Sequence, residues 1–262
     1  MITVVDQIGQ KLQFTEIPKR IISLVPSQTE LLVDLDLLDN IVGITKFCVH
    51  PKELRKQKII VGGTKQVTVD KIKSLAPDII LCNKEENTKE IVEQLSQIAP
   101  VHVSDVATLD DATSLIIAYG KLFDKESIAQ NIVLEIDQKL ENFRLKNIDQ
   151  IKRKCLYLIW KKPYMTIGQD TFINYLLELN GFENTIKKDR YPEVTLEELK
   201  APEYILLSSE PYPFKEKHIK EFQEHTDAEI LLVDGEYFSW YGSRLLGAFD
   251  YFNKLQLQLK KT

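Results

Sequence analysis

Two glutamates in matched positions are the first side chains in this sequence whose spacing suggests a shared role. Glu85 and Glu210 each follow a short apolar run that ends in a polar turn. The pattern V-T-apolar-acid, then Ala-Pro-acid and an apolar run, occupies residues 67–81 and recurs, two residues shorter, in 194–206. A chance match is the alternative, since Thr-capped helices followed by proline are common. If the repeat is real, it predicts one acidic contact on each of two related halves, whereas a single loop glutamate would be only a solvated charge.

Aromatic residues near predicted strand ends form a second candidate site. The glycine-punctuated loop 234–244 follows an apolar run and holds four aromatic residues and an arginine. Buried loops seldom hold an unpaired arginine, so its composition favours a wall facing a flat or polar ligand over simple packing. Phe47 lies just past another strand end, where an aromatic ring has no obvious core to fill. Tyr164 and Tyr191 are weaker members of the same wall, because each alone is more often a packing residue.

Neither a nucleophile nor a metal centre is indicated. The sequence lacks GxSxG, GxxxxGK[ST], HExxH, and GxGxxG after a strand. Four residues have ligand-like spacing, but their Lys- and Glu-rich segment is most simply a solvated helix face; they are His218, Glu221, Glu224 and His225. Three cysteines, far apart and without a CxxC, form neither a disulfide framework nor a zinc knuckle. We therefore expect no catalytic residue, no resident cofactor and no metal site.

Composition limits the partners. The chain has 262 residues, 44% of them hydrophobic, and a net charge of −5. A mildly acidic surface argues against nucleic acid and anionic lipid as main partners. The apolar runs are too short to span a bilayer. The first residues lack the basic start and apolar stretch of a secretion signal, so we expect either a cytoplasmic protein or a mature chain whose signal was removed.

Alternating strand and helix patterns position these residues. Short apolar runs, such as 21–24, 79–82 and 155–160, alternate with helical stretches, which predicts parallel sheets with helices on both faces. In such sheets ligands collect at the carboxyl ends of the strands. Ser27, with Glu30 three residues later, predicts a helix start, either through a capping box alone or with free amides that hold a ligand oxygen.

The segment 124–150 organises the chain. It has no Gly or Pro, and its apolar residues recur at helical spacing, so it predicts a helix about 35–40 Å long. Combined with the repeat, this predicts an N-terminal α/β lobe (1–106), a short helix plus a long connecting helix (107–151) and a C-terminal α/β lobe (152–262). The alternative is an ordinary amphipathic helix on a single α/β domain. Two lobes would form a cleft, the commonest place for a small-molecule site.

Several stretches together resemble a known family. RIISLVPSQTEL (residues 20–31), VGIT (42–45), the glycine pair at 62–63 and LAPDII (75–80) follow one another as in the substrate-binding proteins of ABC importers for vitamin B12, ferric siderophores and haem. The resemblance covers nearly the whole chain and is greatest to the cobalamin-binding branch. It implies the class III periplasmic binding protein fold, in which one long rigid α-helix joins two Rossmann-like lobes with little hinge motion.

The resemblance also implies site residues and partners. One glutamate per lobe, here Glu85 and Glu210, would dock onto arginines of the membrane permease. A chelate would lie between the lobes, in contact with residues of both, and these are Phe47, Gly63, Thr64, Lys65, Trp240, Tyr241, Ser243 and Arg244. Lys65 and Arg244 would meet polar groups at the ligand's rim. The protein would then be a monomer that captures cobalamin or another corrinoid, or else an iron siderophore or haem, outside the cytoplasm. Rival interpretations are a cytoplasmic α/β enzyme and a sensor using the same cleft.

Overall fold

The computed structural model describes residues 1–148 and 151–259 and divides into two compact α/β units. The first unit comprises residues 1–138 and 240–246, and the second comprises residues 139–239 and the chain from Gly247 onward. The predicted lobe boundaries remain predictions. The predicted connecting segment 107–151 includes residues 149 and 150, and the predicted second lobe includes 260–262, all of which lie outside the described residues.

The first unit contains a β-hairpin, a parallel sheet and flanking helices. Its strands are β1 (Ile2–Val5), β2 (Lys11–Phe14), β3 (Ile21–Ser23), β4 (Ile41–Ile44), β5 (Ile59–Ile60), β6 (Ile79–Asn83) and β7 (Val101–Ser104). Its helices are α1 (Pro26–Asp34), α2 (Leu54–Gln57), α3 (Val69–Ser74), α4 (Lys89–Leu95), α5 (Leu109–Leu122) and the first part of α6 (Glu126–Lys146). The hairpin is antiparallel, and strands β3 to β7 pair in parallel in the order β5-β4-β3-β6-β7. Apolar strand residues such as Ile22 and Ile80 are fully buried beneath the helices, as expected for a parallel sheet covered on both faces.

The second unit has the same plan. Its strands are β8 (Arg153–Trp160), β9 (Met165–Thr166), β10 (Phe182–Asn184), β11 (Tyr204–Ser208) and β12 (Glu229–Val233). Its helices are α7 (Phe172–Leu179), α8 (Glu216–Gln223), α9 (Gly235–Ser239) and most of α10 (Leu245–Leu259). Four strands pair in parallel in the order β10-β8-β11-β12, and the short β9 pairs with β8 in the antiparallel sense. The predicted α/β fold with parallel sheets and flanking helices is confirmed.

The strand order supports the internal repeat. In each unit the first strand of the parallel order has the next parallel strand beside it on one side and the last two strands on the other, as β5-β4-β3-β6-β7 in one and β10-β8-β11-β12 in the other. Glu85 lies two residues beyond the end of β6, and Glu210 lies two residues beyond the end of β11. The two glutamates therefore occupy equivalent positions in topologically equivalent turns.

The repeat is not equally helical in its two copies. The first copy forms α3, whereas the second forms only a 3₁₀ turn, Glu198–Lys200. The second copy is two residues shorter before its proline, so its helical stretch is shorter. Thr195 and Glu198 nonetheless form a reciprocal pair, because each backbone N–H donates to the side chain of the other.

The predicted long helix is α6, which has 21 residues and is about 32 Å long. It is shorter than the predicted segment 124–150, since Asp124 adopts a left-handed conformation with φ 58° before the helix begins. Ile132, Ile136 and Phe143 of its apolar stripe are buried. Gly120 of α5 allows α6 to approach closely, because a Cβ there would lie 2.5 Å from the Cβ of Ala129.

Candidate functional site at the sheet edge

Phe47 is the exposed aromatic residue at the carboxyl edge of the first sheet. Strand β4 ends at Ile44, and the Phe47 side chain three residues later is 48% exposed. Its ring lies against the turn that follows β5, because a Cβ on Gly63 would be 3.2 Å from the ring atom Cε2. The backbone N–H of Lys46 donates to the carbonyl of Gly62 at 2.8 Å, which fixes the two loops together. The structure thus brings Phe47 and Gly63 into contact.

The turn that carries Thr64 and Lys65 is joined to the turn that carries Glu85. The N–H of Gly63 donates to Gln66 O at 2.7 Å and closes the first turn, leaving Lys65 exposed. Asn87 Nδ2 then donates to the carbonyl of Thr64 at 2.8 Å. These contacts place four of the predicted residues at one edge of one sheet, where parallel sheets bind their ligands.

Trp240 and Tyr241 belong to the first unit but are not exposed, being 6% and 5% accessible. The Tyr241 hydroxyl accepts a hydrogen bond from Gln28 Nε2 at 3.0 Å and lies 3.3 Å from Ser104 Oγ. Burial raises the pKa of Tyr241 well above its ordinary value. The ring therefore anchors the segment 240–246 in the unit, and a ligand contact by Tyr241 remains a prediction.

Arg244, predicted to meet a polar group at the ligand's rim, forms an ion pair with Glu30. Its Nε donates to Oε2 at 2.9 Å and its Nη2 to Oε1 at 2.6 Å. The guanidinium carbon lies 4.9 Å from the Trp240 ring centroid, in cation–π geometry. Only 12% of the Arg244 side chain and 18% of the Glu30 side chain are exposed. The charge predicted to meet a ligand is thus already neutralised within the unit. Ser243 beside it is buried.

The predicted capping box of Ser27 and Glu30 is wrong. Helix α1 begins at Pro26, and its N-cap is Val25 in an extended conformation without a side-chain cap. A residue before proline is driven out of the helical region, so Val25 is the extended cap and Pro26 takes the first helical position. Glu30 instead receives Arg244, and burial raises the pKa of Glu30 although the neighbouring guanidinium lowers it.

The loop predicted over 234–244 is partly helical. Residues 235–239 form α9, residues 240–244 cross into the first unit, and α10 begins at Leu245. Gly235 permits a close approach rather than a turn, because a Cβ there would lie 2.3 Å from Ser208 Oγ and 2.7 Å from Glu210 Cγ. Ser239 Oγ donates to Glu210 Oε1 at 2.5 Å, so α9 helps to hold the partly buried Glu210 side chain.

The second unit has its own exposed aromatic residue, which the sequence analysis did not select. Trp160 is the last residue of β8, is 40% exposed and meets the ring of Tyr212 edge-on at 5.7 Å. Its signal in the sequence is an aromatic residue at the carboxyl end of a central strand. Tyr164 packs on Phe222 with ring centroids 5.2 Å apart, and both Tyr164 and Tyr191 are partly buried. A ligand contact by either residue remains a prediction.

The histidine-rich segment is not a fully solvated face. His218 is 4% exposed, and its Nδ1 accepts a hydrogen bond from the Lys215 N–H at 2.8 Å. Glu221 pairs with Lys161. Within residues 1–148 and 151–259, no group of three or more His, Cys, Asp or Glu side chains could hold a metal ion. Over the same part of the chain, no helix has the length and hydropathy to cross a bilayer.

Comparison with known sequences gives consistent relationships. A family model described as periplasmic binding protein matches residues 21–229. An uncharacterized ABC transporter substrate-binding lipoprotein of Bacillus subtilis is 29% identical over 193 residues, which are 70% of this chain and 60% of that protein. The matched part thus spans less than two thirds of that relative. A vitamin B12-binding protein of Vibrio campbellii is 24% identical over 195 residues, 72% of this chain and 70% of its own length.

Solved structures show the same fold. The periplasmic vitamin B12-binding protein BtuF of Vibrio cholerae superposes with a TM-score of 0.80 at 21% identity, covering 94% of this chain and 99% of that one. A periplasmic heme-binding protein from Pseudomonas aeruginosa gives 0.79 at 20% identity, with 91% and 92% covered. At such identities the similarity establishes the architecture, whereas the ligand must be inferred from this chain's own residues.

Proposed function

We propose that this chain, which belongs to the periplasmic binding protein family, is the substrate-binding protein of an ABC importer for a corrinoid or an iron chelate. Relatives of this family are named as vitamin B12-binding and heme-binding proteins. The proposal places the protein outside the cytoplasm, as the names periplasmic and lipoprotein describe its relatives. Its partners are the transmembrane permease and a small chelate, and the protein acts as a monomer without catalysis.

The observation that carries this proposal is the exposure of Phe47 at the carboxyl edge of the first sheet. Ligands of parallel α/β sheets bind beyond the carboxyl ends of the strands, and an aromatic face there offers a large apolar contact area to a flat ligand. The turn of residues 63–65 lies beside the ring: Gly63 contacts it, and Lys65 adds an exposed positive charge to the same turn. Trp160 offers a comparable face at the carboxyl edge of the second sheet. The buried Trp240 and Tyr241 support the first edge from within the unit, through His50 and Gln28 respectively, and a ligand contact by Ser243 remains a prediction.

Glu85 and Glu210 are proposed as the permease contacts. Both lie in equivalent turns beyond a central strand, and both are only partly buried. Their carboxylates would pair with arginines of the permease in charge-assisted hydrogen bonds. Replacing both by alanine should leave ligand affinity unchanged and abolish ligand uptake by cells that contain the matching importer. Uptake at the original rate would exclude these turns as the docking surface.

The ligand-binding proposal is tested by titrating the purified protein with cyanocobalamin, haemin and a ferric siderophore while following tryptophan fluorescence. We expect saturable binding of at least one chelate, weakened about tenfold or more by Phe47→Ala through the lost aromatic contact area. Leu134→Ala is the control, because Leu134 is also exposed and in the first unit but lies on α6. Absence of binding by every chelate, or equal losses in both variants, would contradict the proposal.

A further inference from the structure

The loops around Phe47 are strongly basic in an otherwise acidic protein. Between residues 46 and 66 there are six Lys or Arg residues and one Glu, a local charge of +5, whereas the whole chain carries −5. Such a local excess at a ligand-binding edge creates a positive potential that attracts anions and disfavours cations. The question is whether these charges are used within the protein or remain available to a ligand.

Lys46 and Arg55 lie beside the exposed ring. The Lys46 ammonium is 5.1 Å from the Phe47 ring centroid, and its Cε would be 3.5 Å from a Cβ on Gly63. Arg55 Nη1 donates to the carbonyl of Lys46 at 3.3 Å, which holds the guanidinium next to the same loop. Both side chains are exposed. A ligand whose flat face rests on Phe47 would therefore have two cations at its margin.

Neither cation is neutralised by the protein. Across residues 1–148 and 151–259, no ion pair within 4.0 Å joins Lys46, Arg55 or Lys65 to a carboxylate, whereas Lys56 in the same segment pairs with Glu53. Arg244 contributes no free charge, since Glu30 binds it in bidentate fashion.

The acidic residues of this edge are on the adjoining turn. Glu85 and Glu86 follow β6, and that turn contacts the Lys65 turn through the bond from Asn87 to Thr64. The field at Lys65 is therefore partly offset by neighbouring carboxylates. Lys46 lies beside the Phe47 ring on the loop after β4, and Arg55 is bonded to that loop, where Glu86 also acts electrostatically on Cys48. Substituting Lys46 and Arg55, which contact the Phe47 loop directly, therefore tests the charge of the ligand more directly than substituting Lys65.

Resting on the proposed function, we infer that the chain selects an anionic chelate, one whose rim bears carboxylate or comparable negative groups, and that Lys46 and Arg55 contact this rim. A flat hydrophobic centre suits the Phe47 face, and charged oxygens suit an ammonium and a guanidinium. A neutral corrinoid would leave both cations without a counter-charge in the complex, at the cost of their partial desolvation.

The test compares ligands that differ in charge and variants that differ in position. Haemin with its two propionates, haemin dimethyl ester and cyanocobalamin are titrated against the unmodified protein, Lys46→Gln/Arg55→Gln and Lys73→Gln. Lys73 is an exposed lysine in the last turn of α3, next to the amino end of β6. Lys73→Gln therefore removes a positive charge at the amino edge of the same sheet, opposite the edge that carries Phe47. Melting curves verify that each variant is folded.

We expect the double variant to weaken haemin at least about tenfold, with the ester and cyanocobalamin changed less than about twofold, and Lys73→Gln to change none of them. Raising the salt concentration should weaken haemin binding in the unmodified protein more than in the double variant. Tight binding of cyanocobalamin or the ester, with haemin equal or weaker, would overturn the inference and leave the proposed function intact. If none of these three ligands binds and a ferric siderophore does not bind either, the proposed function itself is rejected, and the inference with it.

Discussion

The ion pair between Arg244 and Glu30 should contribute strongly to the free energy of unfolding of the first unit, because it fixes segment 240–246 in that unit. Arg244→Met keeps the aliphatic stem and removes the guanidinium with both of its bonds to Glu30. Removing one partner of a buried pair costs about 3–5 kcal/mol. Because 12% and 18% of these side chains remain exposed, we expect a cost somewhat below that range, about 2–4 kcal/mol at pH 7.5, including the lost cation–π contact with Trp240.

The cost should depend on pH with a defined sign. Burial raises the pKa of Glu30 above its ordinary value, while Arg244 lowers it. The folded state therefore holds a proton that the unfolded state has released, and the stability due to Glu30 falls as the pH rises through this window. Below the ordinary value both states are protonated and the penalty vanishes. Without Arg244 the folded pKa rises further, so Arg244→Met should be less costly at pH 5 than at pH 7.5.

The assay uses the two tryptophans of the chain, Trp160 and Trp240. In a Trp160→Phe background the remaining fluorescence comes from Trp240, which contacts the Arg244 guanidinium and lies in the first unit. Urea unfolding of Arg244→Met, Glu30→Gln and the double variant then gives a double-mutant cycle at each pH. The double variant should recover more than about 1 kcal/mol relative to Arg244→Met, since no buried carboxylate is left unpaired.

Lys125→Met is the matched control. Lys125 pairs with Asp36 in the same unit, but the Asp36 side chain is 83% exposed, so its loss should cost less than about 1 kcal/mol at either pH. If Arg244→Met were as mild as this control, or equally costly at both pH values and not relieved by Glu30→Gln, the assignment of a buried, stabilising pair would be refuted.

Three further substitutions test other contacts. Tyr241→Phe removes the hydroxyl that accepts from the buried Gln28 and should cost about 1–2 kcal/mol in urea unfolding; an unchanged midpoint would show that the bond does not contribute. Gly120→Ala should lower stability by about 1–3 kcal/mol despite the better helix propensity, because the new Cβ meets Ala129; a higher melting temperature would contradict this. Trp160→Ala should weaken chelate binding about tenfold with little change in melting temperature, because Trp160 is 40% exposed; a large loss of stability with unchanged affinity would make Trp160 a packing residue.

The sheets could be predicted from the sequence because their signal is local. A buried parallel strand is a short run rich in Val, Ile and Leu, and residues 21–24 and 79–82 satisfy that pattern without reference to the rest of the chain. The equivalence of Glu85 and Glu210 followed from counting along two similar runs, and the strand orders agree with it. Periodicity also located the long helix, but not its start, which depends on the left-handed Asp124.

The Glu30 pair could not be predicted because its two signals compete. Locally, Ser27 and Glu30 have the spacing of a capping box, and nothing near them indicates a partner 214 residues away. Proline at the first position of α1 decides against the box, since it fixes Val25 as the cap. Once the carboxylate is released from capping, it can neutralise an arginine that would otherwise be buried without a partner.

Which aromatic residue faces solvent is likewise a tertiary question. Phe47 and Trp240 both follow strand ends, and sequence composition favoured the tryptophan loop because it is richer in aromatic residues and holds an arginine. In the structure the His50 ring meets Trp240 at 5.4 Å and the Arg244 guanidinium covers it. Over Phe47 the corresponding cation is Lys46, a compact, strongly hydrated ammonium on a flexible stem, and the ring beneath it remains 48% exposed. Arg244, which made the tryptophan loop resemble a ligand-binding wall, therefore covers Trp240, whereas Lys46 leaves Phe47 accessible to solvent.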